Sequence, residues 1–390
     1  MKIALAVENF NPYGGGVEAY AVGLAKRLVE NGWEVHLYGH SWNYEPREAI
    51  FHRISPLPHF LPPSIRILHF ALRHRSMVRS NDFDVVLGFG NTLFMNVYQS
   101  HGGVHRFSTM RKIEAVRSPI VRIAKHLLTL ISPKYHVRAW IEGSPFRLNK
   151  LPVIIAISDM VRRDLSAYFG VREDEIILVY NGADHSKIKA VEEARVIQTR
   201  RSLGFQDEVV FLFMAYDLRK KGVHYLLDAA AKLAMGSEVG HFGVLIVGGE
   251  PSSAMRSFVK RQGLTKKIMF LGPTTEPQLY FRTCDVLVLP TFYDACSLVV
   301  FEALAAGMPI ITTRFNGAAG IIKQGVSGFI LESPSDTHAL TVAMKEFLDR
   351  DFLARAKQAA QTDSMSYQLD DNYREMIDIF DAVARKISIS

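Results

Sequence analysis

Apolar residues in this chain fall into short continuous runs separated by segments with helical spacing. KIALAV (2–7) is one such run and predicts a strand; EVHLYG (34–39), VVLGF (85–89), LFMNVY (93–98), VIIAIS (153–158) and the start of EIILVYNGAD (175–184) follow. Between the first two, VEAYAVGLAKRLVEN (17–31) places Val17, Tyr20, Ala21, Leu24 and Leu28 on one helical face, and Gly32 stops it. Another helix is expected from Asp159. The second half repeats the rhythm with VVFLFMA (209–215), HFGVLIVGG (241–249), KIMFLG (267–272), DVLVLP (285–290) and MPIIT (308–312), and a last amphipathic helix covers 372–386. Strands that are apolar throughout belong to parallel sheets covered on both faces. The pattern predicts an α/β chain of two doubly wound, Rossmann-like domains facing across a deep cleft at the carboxyl ends of their strands. The expected bounds are 1–184 for the first domain, 185–207 for a polar connection, and 208–368 for the second. A terminal helix at 369–390 could cross back to the first.

Composition changes this picture little, but charge does. Two cysteines, Cys284 and Cys296, give neither a disulfide framework nor a ligand-spaced cluster, which fits a reducing, cytoplasmic setting. The opening apolar run is broken by Glu8 and Asn9, which suits a buried strand better than a signal peptide, and no run approaches the ~20 apolar residues of a membrane span. The net charge of +7 is uneven: residues 51–150 hold 15 basic against 4 acidic side chains. A field so concentrated points to an anionic partner.

Three turns could carry chemistry. In NPYGGGVEAY (11–20), Gly15 and Gly16 let backbone approach a ligand and open a helix whose free N–H groups suit phosphate. A merely flexible turn is equally compatible. Glu18 either complements the helix dipole or faces a substrate hydroxyl. In YDLRKKGVHYLLDAA (216–230), Arg219, Lys220 and Lys221 oppose the dipole of the helix they precede, so they form a solvated basic loop or a pyrophosphate clamp. In TFYDACSLVVFEALAAGMPII (291–311), Asp294 precedes a helix whose first N–H groups come from about Ser297 to Val299, and Glu302 follows two turns up. A carboxylate inside an apolar helix is costly unless satisfied, by a core cation or by ligand hydroxyls. His101, in QSHGGVH (99–105), stands where the run 93–98 ends. Asp82 and Asp84 superficially form a metal-binding DxD, but they immediately precede a strand and read as turn formers; no metal is assigned.

With these pieces in place, the chain resembles the retaining glycosyltransferases of family 4, with GT-B architecture. The likeness rests on GGGVEAY, IAISDMVRRDL (155–165), VYNGAD (179–184), KKGVHYLLDAAAKL (220–233), LIVGGE (245–250), FLG (270–272) and the E-x7-E-type segment ending in FEALAAGMPII. It implies that Gly15 and Gly16 meet the donor diphosphate and sugar, that His101 approaches the donor sugar, and that Glu18 lies toward the acceptor. Lys221, helped by Arg219 or Lys220, would neutralise the diphosphate. Gly248 and Gly249 would line the nucleotide pocket, Phe270 and Leu271 would read the base, and Glu302 would hold the ribose. Asp294 with the amides of Cys296, Ser297 and Leu298 would hold the transferred sugar. Two departures stand out: the first acid is Asp294 rather than Glu, and Ala295-Cys296-Ser297 replaces a glycine-rich triplet.

The resemblance implies a nucleotide sugar, UDP-glucose first, as donor substrate with no cofactor and no metal, and domain closure over that donor. The acceptor would be a glycan or glycolipid such as lipopolysaccharide core. A nucleotide-sugar 2-epimerase and a non-catalytic nucleotide-sugar-binding subunit share the architecture. From His101 to Trp140 the only acid is Glu114 among eight Lys/Arg, and Ile113, Val116, Ile120, Ile123, Leu127 and Ile131 recur at helical spacing; PSIRILHFALRHRSMVRS (63–80) is similar. A basic, apolar helix fits an anionic membrane surface, here the cytoplasmic face of the inner membrane, or packs between domains with a solvated basic face. Nucleic acid is not expected, because no known binding module accompanies the charge.

Overall fold

The computed structural model describes every residue except 13, 43–47, 80–81, 237–240 and 389–390, with the backbone alone at 386–388. Tyr13 of the glycine turn and Ser80 of the second basic segment therefore lie outside the described residues. The chain divides into two compact units, residues 1–180 with 371–390, and residues 181–370.

The first unit is built on a seven-stranded, wholly parallel sheet. Its spatial order is Ile50–Arg53, Glu34–Gly39, Lys2–Ala6, Val85–Gly88, Val97–Ser100, Val153–Ala156 and Ile176–Leu178. The opening strand is central: Ile3 pairs with Val35 on one side and Val85 on the other. Burial on both faces is why Val85–Gly88 (VVLG) and Val153–Ala156 (VIIA) are apolar at every position rather than at alternate ones. Helix Gly16–Glu30 buries Tyr20, Ala21, Leu24 and Leu28, four of the five predicted positions, while Val17 keeps some surface. Residues from 371 onward in helix Leu369–Ser388 pack in this unit. Phe380 meets Trp33 edge-on at 6.3 Å, and the Tyr20 hydroxyl donates to Asn372 Oδ1 at 3.0 Å. Full burial of a side chain such as Phe380 stabilises by about 2–3 kcal/mol.

The second unit has a six-stranded parallel sheet, in the order Ile268–Gly272, Phe242–Gly248, Val209–Ala215, Val286–Leu289, Ile310–Thr313 and Gly328–Leu331. Phe211, Phe213, Val244, Ile246 and Val288 pack with Leu226, Leu227, Leu340 and Met344 from the covering helices. In both units the strand order reverses beside the first strand, between the first and fourth strands of that sheet. At such a switch point the two flanking loops leave in opposite directions and open a crevice at the carboxyl ends.

Three expectations change. Residues 185–207 are not a connection: helices His185–Lys189 and Glu193–Ser202 belong to the second unit, tied by Arg195 to Glu276 (3.1 Å), Arg282 to Glu193 (2.6 Å) and Arg200 to the buried Asp285 (3.0 Å). They read as a linker because their outer faces are polar and their partners lie ~80 residues away in sequence. LFMNVY is not a strand over its length; the strand is Val97–Ser100, and Met95 instead packs onto Gly88. Strands Ile50–Arg53 and Gly328–Leu331 carry too few consecutive apolar residues to announce themselves.

Candidate functional site

In the second unit, the loops after strands Val209–Ala215 and Val286–Leu289 flank the switch point. The first carries Arg219, Lys220 and Lys221; the second carries Asp294. Gly222 locks the two loops together. Its φ of +82° is left-handed, and a Cβ there would collide with the Pro290 carbonyl. The Phe292 N–H also donates to the Lys220 carbonyl at 3.2 Å. This approach sets Lys221 Nζ on the Asp294 carboxylate as a partly buried ion pair. Lys220 turns away to Asp217 (2.9 Å), and Arg219 is exposed. Of the three predicted cations, only Lys221 is drawn to Asp294.

Asp294 itself is fixed by its backbone: its N–H donates to Phe315 O at 2.9 Å, and its carbonyl accepts from Gly317 at 2.8 Å. The next residues lead into helix Leu298–Ala305, with Ser297 at its N-cap. Asn316 Oδ1 accepts the N–H groups of Ser297 (3.3 Å) and Ala318 (3.1 Å), and Asn181 Nδ2 donates to the Cys296 carbonyl at 3.1 Å. The turn 295–297 is thereby held rigid beside an amide-lined helix end. Such an end, with a lysine alongside, is suited to negative charge. Burial pushes the Cys296 thiol well up, so it is an inert packing group there.

Glu302 lies in the same helix. Burial lifts its carboxyl to about 7, with Lys187 of the same unit pulling it back down. No core cation pairs directly with it among the described salt bridges. Gly248, with φ of +112°, and Gly249 run so close to Ala215 and Tyr216 that any Cβ would strike their carbonyls, which explains both glycines by packing alone. Phe270 and Leu271 are partly exposed at the end of strand Ile268–Gly272, and Arg256 lies over the Phe270 ring at 5.8 Å.

In the first unit, Gly15 and Gly16 open helix Gly16–Glu30, and Gly15 has open space where a side chain would stand. One Glu18 oxygen accepts the Gly15 N–H at 3.3 Å, so this acid caps its own helix. His101 is 7% exposed and stacks against Tyr20 (4.7 Å between ring centres) and Phe89 (6.2 Å, edge-on). Asp84 accepts the Lys2 N–H at 2.7 Å and so ties down the start of the opening strand. Among the described residues no group of three or more His, Cys, Asp or Glu side chains is arranged to hold a metal ion. Asn181 and Asn316 were not singled out in the sequence. Asn181 sits in the quoted VYNGAD; Asn316 follows a strand in an Asn-Gly pair that looks like an ordinary turn.

The chain is similar to known proteins over most of its length. Residues 14–187 match the family Glycosyltransferase Family 4, and residues 196–363 match Glycosyl transferases group 1. An uncharacterised glycosyltransferase of Methanocaldococcus jannaschii is 26% identical over 344 residues, 84% of each chain. The lipopolysaccharide glucosyltransferase WaaG of Escherichia coli is 19% identical over 359 residues, 91% of this chain and 92% of that one. A crystal structure of WaaG superposes with a TM-score of 0.79 at 17% identity, over 97% of this chain and 99% of that one. An Anabaena protein solved with UDP-glucose superposes with a TM-score of 0.69 at 16% identity over all of both chains. The two family matches lie in tandem over the two doubly wound units, and the chain belongs to the glycosyltransferases of GT-B fold.

Proposed function

We propose that this chain is a retaining hexosyltransferase that moves a sugar, glucose from UDP-glucose first, to a glycan or glycolipid acceptor such as lipopolysaccharide core. The observation that carries the reading is the Lys221–Asp294 pair beside the amides of helix Leu298–Ala305 at the second unit's switch point. When the bond from the anomeric carbon to the β-phosphate oxygen breaks, negative charge grows on the phosphate and positive charge on the sugar ring. Lys221 and the helix amides meet the first. The incoming acceptor oxygen bonds to the same face of the anomeric carbon, and its proton passes to the departing phosphate oxygen. No residue is placed as a covalent nucleophile, and Lys221 with the backbone amides supplies the neutralising charge without a metal or a resident cofactor. Glucosyl transfer is supported by the named activity of the Escherichia coli relative and by the UDP-glucose bound in the Anabaena neighbour.

The test is turnover of UDP-glucose labelled in its sugar. Labelled glucose is expected on a glycolipid fraction, with its anomeric configuration kept. A free epimerised nucleotide sugar would instead establish the 2-epimerase, and binding without any sugar release would establish a non-catalytic subunit.

The acceptor side of the reading includes a membrane surface. Helix Pro119–Leu130 buries none of its residues; Ile120 is 81% exposed, and Ile123, Leu127, Leu128 and Ile131 also lie open. Arg117, Arg122, Lys125 and Lys134 flank them. A contiguous apolar stripe left open is what a packing helix would have covered. Such a stripe, framed by cations, fits the interface of an anionic bilayer, where each Lys/Arg contributes ~1 kcal/mol. No described helix is long and apolar enough to cross a membrane; the proposed mode rests on the open stripe and its cations, and is peripheral, on the cytoplasmic face. In vesicle flotation the protein is expected to rise with phosphatidylglycerol-containing vesicles, and Ile123→Glu with Leu127→Glu to stay at the bottom. Flotation unchanged by these substitutions would assign the stripe to another partner.

A further inference from the structure

The first unit has its own crevice, and it is built. It lies at that unit's switch point: Glu8 follows the first strand, and Phe89, Gly90 and Asn91 follow the fourth. Its volume of about 260 Å³ lies just under the ~300–1,000 Å³ range of small-molecule sites, a size for one sugar residue rather than a chain. Helices His105–Glu114 and Pro133–Glu142 close it from the side.

The chemistry inside is unlike that of a structural void. At the floor, the buried Glu142 accepts the His105 N–H through both oxygens, at 2.9 and 3.0 Å. His105 Nε2 and Asn91 Oδ1 are buried atoms with no hydrogen-bond partner in the structure. A polar atom left so costs free energy unless something arrives to pair with it. Lys112 and Arg138 stand exposed at the rim. Burial first, then the charges of Arg138, Lys112 and Lys134, push His105 down to about 4, so the imidazole is neutral. Of the two acids in the wall, Glu142 is lifted by burial to about 7 and is about half protonated near neutral pH.

We infer that this crevice binds an acceptor sugar carrying an anionic group, phosphate or carboxylate, with Lys112 and Arg138 on the anion and Asn91 and His105 on its hydroxyls. As an acceptor site the inference rests on the transferase reading; as an anionic-sugar site it does not. Hydroxyls supply the donors and acceptors that the two orphaned atoms lack, and a charged substituent is held at the rim, where desolvation is small. The crevice also shares its elements with the open apolar helix: helix His105–Glu114 touches both Pro119–Leu130 and Pro133–Glu142. An acceptor anchored in a bilayer would present its sugar on this side.

Calorimetric titration of the full chain with glucose 6-phosphate, glucuronate, glucose and inorganic phosphate tests it, with UDP as a separate titrant. Glucose 6-phosphate or glucuronate is expected to bind saturably and at least about tenfold more tightly than glucose; whichever is tighter identifies the anion. Lys112→Gln and Arg138→Gln are expected to weaken that binding by about tenfold, and Asn91→Asp to abolish it, each with UDP affinity unchanged. Because Lys112 and Arg138 are exposed, their variants test the idea even if Asn91→Asp fails to fold. Glucose binding as well as its phosphate, inorganic phosphate binding as well as either, displacement by UDP, or indifference to the rim substitutions would each overturn it. Failure of UDP to bind while glucose 6-phosphate does would sink the transferase reading and uphold the crevice's ligand class.

Discussion

Lys221→Ala is expected to lower kcat for sugar transfer by roughly a hundred- to a thousandfold, about 3–4 kcal/mol of transition-state stabilisation. Lys221 is the one predicted cation that the loop geometry turns toward Asp294 and the helix end; Lys220 is occupied by Asp217, and Arg219 is exposed. Lys220→Ala is therefore expected to cost far less. The variant has a second consequence. Without Lys221, Asp294 stays beside the place where a diphosphate must enter, and two like charges ~4 Å apart at an effective dielectric of ~20 repel by about 4 kcal/mol. Donor KM should rise as well as kcat fall. Adding Asp294→Asn to Lys221→Ala should then restore part of the KM and none of the kcat. Steady-state kinetics of the two single variants and the double variant separate the contributions. A Lys221→Ala enzyme with near-normal kcat would remove the lysine from the mechanism.

The parts legible in the sequence share one property: their signal is local. Val209–Ala215 reads as a buried strand because every residue in it is apolar, and the run at 219–221 reads as functional because cations oppose the dipole of the helix they precede. Asp294 and Glu302 stand out as acids beside and inside an apolar helix. What stayed hidden depends on partners distant in sequence. Glu142 looks like one more polar residue on a surface helix; only the packing of helices His105–Glu114 and Pro133–Glu142 buries it against the His105 amide. Asn316 is indistinguishable from a turn residue until its side chain is seen to hold the N–H of Ser297. Glu18 shows the reverse limit: an acid in a first helical turn has a cheap local use, capping the helix, and the structure shows that use.

Glu302→Gln is expected to stabilise the ligand-free protein and to damage donor binding at the same time. Burial raises the Glu302 carboxyl from 4.5 to about 7. An acid held that way keeps its proton in the folded chain over a range where the unfolded chain has lost it. Its contribution is therefore neutral below about pH 4.5, becomes increasingly destabilising as pH rises, and levels off above about 7, reaching on the order of 3 kcal/mol. Glutamine cannot ionise, so the variant should melt above the wild type at pH 8 and alongside it at pH 4. Ribose hydroxyls prefer the carboxylate to the acid, because charge-assisted hydrogen bonds are the stronger kind. UDP binding to the wild type should then expel a proton below pH 7 and weaken by about tenfold per pH unit there. The Gln variant should bind UDP ~10- to 100-fold more weakly at pH 8 and lack that step. Titration of the UDP phosphate is common to both proteins and cancels in the comparison. Stabilisation at pH 8 coupled to lost affinity is the mark of an acid kept buried for a ligand. A variant that melts lower at pH 8 and binds UDP normally would make Glu302 a structural residue, and the ribose would have to be held elsewhere.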